Sequence, residues 1–189
     1  MAMSSLAVTV TAGISVVASN TLTGSDYGAN SNSTNIKKNL SIGTAAANAA
    51  AGGSDELYSA ITSLAASASA SIDLTSITDL LQTSGVSLAR VKAIMIRVLS
   101  TTDDSSIGTA ASSVKVDGSV TNGLVSQSGT GWLFNSSSLF EIPNGGVLLF
   151  ATPTAGGVLV DGTHKVIKVT NVDGSVIAKV QVTVCGGSS

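Results

Sequence analysis

The chain has 189 residues, 43% of them hydrophobic but only 3% aromatic and 11% charged, which fits one domain of ordinary size with an aliphatic core and a largely uncharged surface. Nine basic against eleven acidic residues give a formal net charge of −2, and neither sign clusters. That excludes the basic stripe needed to displace counterions from nucleic acid, so no direct nucleic-acid partner is expected.

Met1-Ala2-Met3-Ser4-Ser5 lacks the positive and apolar regions of a secretory leader, so the chain reads as made in the cytoplasm and kept out of the bilayer. Residues 1–53 read as an N-terminal arm, rich in Ser, Thr, Asn and Ala. Within it Leu6 to Thr11 alternates like a short strand, and Ile14 to Val17 continues it. Asn20 to Asn39 is nearly all small and polar, and buries too little to offset its own ordering entropy. Ala45 to Ala51 predicts a turn or two of helix, closed by Gly52-Gly53.

Residues 54–189 read as an antiparallel β-sandwich domain of jelly-roll type. Strands are predicted over Glu56–Leu64 and Ala68–Leu74. Thr75 to Gln82 has an apolar face at helical spacing with Thr75 as N-cap, so one short helix is expected there. Arg90 to Leu99 is the longest strand, with basic residues at 90, 92 and 97 that do not share a face, which implies charged ends and a buried middle. Ser113-Val114-Lys115-Val116 runs into Asp117-Gly118, and the same turn pair recurs at Asp161-Gly162 and Asp173-Gly174. Gly123 to Phe134 is Gly- and Ser-rich and reads as a loop.

Between the turns lie strands at Leu139–Ile142, Val147–Ala151, Gly157–Val160, Lys165–Thr170 and Val176–Val184. Short strands at such spacing, without helical crossovers, are the pattern of a sandwich. The chain is organised around Glu141 to Ala151. There Pro143, Asn144, Gly145 and Gly146 form a tight structural corner, and the five apolar residues after it predict a strand buried on both faces, in the middle of the core.

Chemistry-bearing residues are sparse. Cys185, the one cysteine, permits no intrachain disulfide and reads as a small apolar residue at a strand end. His164, the one histidine, follows a turn and reads as a surface residue, because no G-x-S-x-G nucleophile elbow accompanies it. Asp103-Asp104, Asp55-Glu56 and the Asp73/Asp79 pair lack the D-x-D-x-D-G order of a calcium loop. No phosphate-binding glycine motif occurs, and no uncharged apolar run reaches the roughly 18 residues of a spanning helix. The sequence therefore predicts no catalysis, no cofactor, no metal and no membrane span. Trp132 and Phe134 stay open to two readings, a plug at one end of the sandwich or a surface that stacks a sugar or peptide.

Three segments in order carry a likeness. They are Ser71-Ile72-Asp73-Leu74-Thr75-Ser76-Ile77-Thr78-Asp79, Leu88-Ala89-Arg90-Val91-Lys92-Ala93-Ile94-Met95-Ile96-Arg97 and Ile142 to Ala151. Lys165 to Asn171 and Val180 to Val184 complete them. Together, over about residues 55 to 185, they resemble a family of small structural proteins of tailed bacteriophages and prophages. That family has D-L-T-x-L-x-D, then a strand of the form F-A-R-V-K, then a V-x-P-G-G-x-L-L-L strand. Leu88 stands here for the usual phenylalanine, and Asn144 for a proline or glycine.

The resemblance implies a non-enzymatic virion protein, a capsid decoration or head accessory component made in the host cytoplasm. Its partners would be other virion proteins, the major capsid or tail protein. The uncharged, small-grained surface agrees with a homo-oligomer of two or three copies, attached through its N-terminal region. The alternatives are a carbohydrate- or host-surface-binding module with Trp132 at its contact, and the major shell protein itself.

Overall fold

The computed structural model describes residues 8–20, 30–42, 56–79, 84–100, 112–117, 122–124, 139–151 and 157–188. Near the N-terminus β1 (Val8–Asn20) and β2 (Asn30–Ile42) form a two-stranded antiparallel sheet. Their register is unbroken and sets Val10 opposite Leu40 and Ile14 opposite Ile36, with Thr11 opposite Asn39. The polar stretch that the sequence left without structure thus continues as strand through Asn30–Asn39. Cross-strand pairing there satisfies the backbone hydrogen-bonding groups of this small, polar stretch. The short helix expected over Ala45–Ala51 lies outside the described residues.

Nine further strands follow. They are β3 (Glu56–Leu64), β4 (Ser69–Asp73), β5 (Leu88–Val98), β6 (Val114–Asp117), β7 (Leu139–Ile142), β8 (Val147–Ala151), β9 (Val158–Leu159), β10 (Val166–Asn171) and β11 (Ala178–Ser188). They make two sheets, ordered β4-β10-β6-β7 and β3-β11-β5-β8, with β9 pairing the same strand β5. Every pairing between strands is antiparallel, as an all-β chain with Gly-bearing turns requires.

Period-two alternation puts one face of each sheet inward. From the first sheet come Val114, Val116, Ile167 and Val169. From the second come Ile94, Ile96, Val98, Val180, Val182 and Val184, all in one cluster with Leu74, Leu88 and Leu124. Each such residue, fully buried, contributes about 1.5–3 kcal/mol. Tyr58 and Phe150 pack only at the cluster's margin, so aliphatic side chains fill its centre.

Asn171, at the end of β10, ties the two sheets together. It is buried, and its Nδ2 donates to the carbonyls of Leu64 (3.2 Å), Ala65 (3.0 Å) and Val176 (2.7 Å). Its Oδ1 accepts from Ser112 Oγ (2.6 Å) and the Asp173 N–H (3.0 Å). The side chain's hydrogen-bonding capacity is met on both ends, as burial demands.

Three expectations need correction. The helix over 75–82 is absent from its described part, where Leu74 to Asp79 is turn and bridge. Asp73 Oδ1 accepts both the Thr75 N–H (2.9 Å) and its hydroxyl (2.6 Å), a local bond that competes with helix. Ile77 then exchanges backbone hydrogen bonds with Val86, both 3.0 Å, in an isolated bridge. The apolar spacing was nonetheless informative, because Leu74 and Ile77 are buried. Leu80–Gln82 lie outside the described residues.

Second, β8 is not the middle of the core. It ends the order of its sheet among the described strands, and Val147 and Leu149 are exposed. A continuous apolar run fits a central strand and an apolar-faced edge strand equally well. Third, β11 does not stop at Val184 but runs to Ser188, with a register shift between Cys185 and Gly186. A Cβ at Gly186 would collide with the Arg90 carbonyl, so glycine lets the two strands close up at this irregularity.

Candidate functional site

The turn at Pro143–Gly146 is built from backbone. The Gly146 N–H donates to the Pro143 carbonyl (2.8 Å), and Gly145 has φ of +75°. That is the type II pattern, in which the third residue needs a positive φ. Gly146 is constrained by space instead, because a Cβ there would sit 2.8 Å from the Pro143 carbonyl oxygen. The turn launches β8 and presents no ionisable group. Trp132 and Phe134 lie outside the described residues.

The register defines what the β8 sheet shows on its outer side. One row reads Ile61, Gln181, Arg97, Val147, and the next Ser59, Thr183, Met95, Leu149. Ile61 is 60% exposed and Val147 54%. Ser59 and Thr183 hydroxyls bond across the strands at 2.9 Å, and Gln181 Nε2 donates to Ser59 Oγ (3.3 Å). Cys185 and Ala93, one row further along, are buried. At the edge, β8 reads Val-Leu-Leu-Phe-Ala and contains none of the charges or prolines that usually blunt an exposed strand.

A second feature lies at the opposite edge, where β3 of one sheet and β4 of the other come together. A cleft of about 390 Å³ opens there, lined by Tyr58, Ser71, Ile72, Asp73, Ser76 and Thr78, with Ile77 behind them. The turn after β4 forms one wall, so the Asp73–Thr75 bond that displaced a helix also shapes the cleft. Tyr58 pairs in register with Val184 and packs against the core, and burial raises its phenol pKa.

Burial pushes the Asp73 carboxyl up, but the two Thr75 hydrogen bonds and the Lys165 ammonium outweigh it and hold the group below its usual range. Lys165 Nζ stands 3.0 Å from Asp73 Oδ2. The cleft thus combines one aromatic ring, three side-chain hydroxyls and a charge-balanced carboxylate. The sequence marked Asp73 as part of an acidic grouping and of the D-L-T-x-L-x-D likeness, and Tyr58 only as a strand residue, and neither as part of a cleft. The available signal was Asp-x-Thr, which recurs as an Asp-x-Thr or Asp-x-Ser turn at Asp161-Gly162-Thr163 and Asp173-Gly174-Ser175.

His164 sits half-buried in the Asp161 turn. Asp161 Oδ1 accepts from the Thr163 N–H (2.7 Å), the Thr163 hydroxyl (2.8 Å) and the His164 N–H (2.8 Å), with His164 Nδ1 3.1 Å away. These bonds, from Thr163 first, lower the Asp161 pKa to about 2. They are turn-forming contacts between neighbours in sequence. Lys92 is fully buried beside Gly157, and lies where β5 has one residue more than β11, between Val91↔Gly186 and Ala93↔Cys185. Burial, aided by the Arg90 charge, lowers its ammonium pKa. At this extra residue Lys92 is buried, whereas Arg90 and Arg97 of the same strand are half-buried.

Among the described residues no group of three His, Cys, Asp or Glu side chains is placed to hold a metal ion, and no helix is long and apolar enough to cross a membrane. Comparison with family models, curated proteins and solved structures found no match.

Proposed function

We propose that the chain is a non-enzymatic structural protein of a tailed-phage virion, a capsid decoration or head accessory component that works as a homodimer. Its two sheets then form a β-sandwich of the jelly-roll kind, and its partners are a second copy and the major capsid or tail protein. The reading begins from the family likeness. The segments that carry it fall on β4 and its turn, β5, β8, β10 and β11, which are neighbours within each sheet.

The observation that carries the assembly part is the apolar sequence of β8 together with its end position among the described strands of its sheet. Five apolar residues with no charge, proline or bulge make an edge that monomeric proteins avoid. Two copies related by a two-fold axis pair β8 with β8 antiparallel and continue the sheet, an isologous contact. With the axis at Leu148, Val147 of each copy then faces Leu149 of the other, while Arg97, one strand further in, is kept apart from its counterpart.

Sedimentation velocity tests this. The wild-type chain sediments as a dimer, and Val147→Lys/Leu149→Lys as a folded monomer that no longer adds to purified virions. A stable wild-type monomer that fails to bind virions contradicts the proposal.

A further inference from the structure

We infer that the cleft between β3 and β4 is a binding site for an uncharged saccharide unit. The site stands apart from the virion reading, because the lining of the cleft defines it. At about 390 Å³ the cleft falls in the size range of small-molecule sites, roughly 300–1,000 Å³. Its one ring, Tyr58, is held by β3 pairing and by packing against the core, so its position is fixed before a ligand arrives. An aromatic face receives the C–H face of a pyranose, an apolar patch on an otherwise polar molecule.

The polar lining selects against other ligand classes. Ser71, Ser76 and Thr78 are exposed and bring hydroxyls that both donate and accept. An apolar ligand would desolvate them and Asp73 without replacing their hydrogen bonds, a loss of about 1–3 kcal/mol each. An anion finds no surplus positive charge, because Lys165 is 3.0 Å from Asp73. A metal ion finds one carboxylate and no histidine or cysteine in the lining.

A neutral polyol satisfies all three conditions. Asp73 Oδ1 is taken by Thr75, whereas Oδ2 has Lys165 and room for a second donor, such as a sugar hydroxyl. Tyr58, whose phenol pKa burial raises, remains protonated at neutral pH and donates or accepts as the ligand requires.

The test is saturation-transfer NMR on the full chain with the methyl glycosides of glucose, galactose, mannose and N-acetylglucosamine. At least one receives saturation, and its titration shifts amides of Tyr58 and of 71–78 but not those of β8. Ser76→Trp, at an exposed turn position, fills the cleft and removes binding while leaving the remaining amide spectrum and the oligomeric state unchanged. Tyr58→Phe, which keeps the ring and its packing, weakens binding by roughly three- to tenfold, the value of one hydrogen bond. No saturation of any of the four glycosides, shifts that map elsewhere, or binding that survives Ser76→Trp overturns the assignment.

Discussion

The outer faces of the two sheets differ in kind although their inner faces are alike. On the four-stranded sheet one row reads Ser69, Thr170, Lys115, Glu141, and the next sets Ser71 beside Lys168 and Asp117 beside Leu139. Lys168 pairs with Asp117 at 3.3 Å, Ser69 bonds Thr170 at 2.8 Å, and Ser113 bonds Glu141. Most of its polar side chains are paired with one another. The β8 sheet exposes Ile61, Val147 and Leu149 around a short hydroxyl ladder, and among the described strands it ends on apolar β8. The β8 sheet also carries Arg97 and Lys179 on its outer side, and its exposed apolar residues leave it fitted for protein contact.

The contrast assumes that both sheets are held on one core, and the largest effect comes from breaking that link. Asn171→Ala leaves three carbonyls and Ser112 without their buried partner and is expected to cost about 3–5 kcal/mol, read as a lowered urea midpoint. Both faces lose order together in that variant, which a change confined to one sheet would not do.

Gly146→Val comes next. It forces a Cβ against the Pro143 carbonyl and the Ile142 side chain, at about 1–3 kcal/mol, and disturbs the entry into β8. The contrast sharpens if this variant loses assembly more readily than the four-stranded sheet loses amide protection.

Acid acts through the turns. The folded-state pKa values of Asp73, Asp161 and Asp173 are lowered, so their contribution to stability is complete above the unfolded value near 4 and fades as pH falls through the folded values. For Asp161 that window runs from about 4 down to about 2. Urea midpoints measured from pH 6 to pH 2 are therefore flat at first and then fall, and Asp161→Asn makes the fall shallower. The smallest effect belongs to the outer face of the four-stranded sheet, where Lys168→Ala changes stability by about 0–1 kcal/mol and leaves assembly as it was.

Much of this fold was legible because period-two alternation and Asp-Gly turns act locally. β3, β7 and β8 appear at the expected residues, and β6 and β10 within one residue of them. What the sequence hid was set by neighbours distant in the chain. Val147–Ala151 has the composition of a central strand, and only the strand order makes it an edge. Thr75 to Asp79 has helical spacing, yet the side-chain bond from Asp73 and the bridge to Val86 decide its course. Lys92 belongs to what the sequence marks as a charged strand end, yet it is buried where the register shifts opposite Gly186. The cleft was illegible for the same reason, since Tyr58 and Asp73 meet only where the margins of two sheets come together.

The claim that β8 is an interface is tested most directly by amide hydrogen exchange in β8 as a function of protein concentration. Alternate β8 amides point to β5 and are protected at every concentration. The others point outward, and the account predicts that their protection rises with concentration toward the level of β5. Outward amides that exchange fast at all concentrations, in a protein whose β5 amides stay protected, would contradict it.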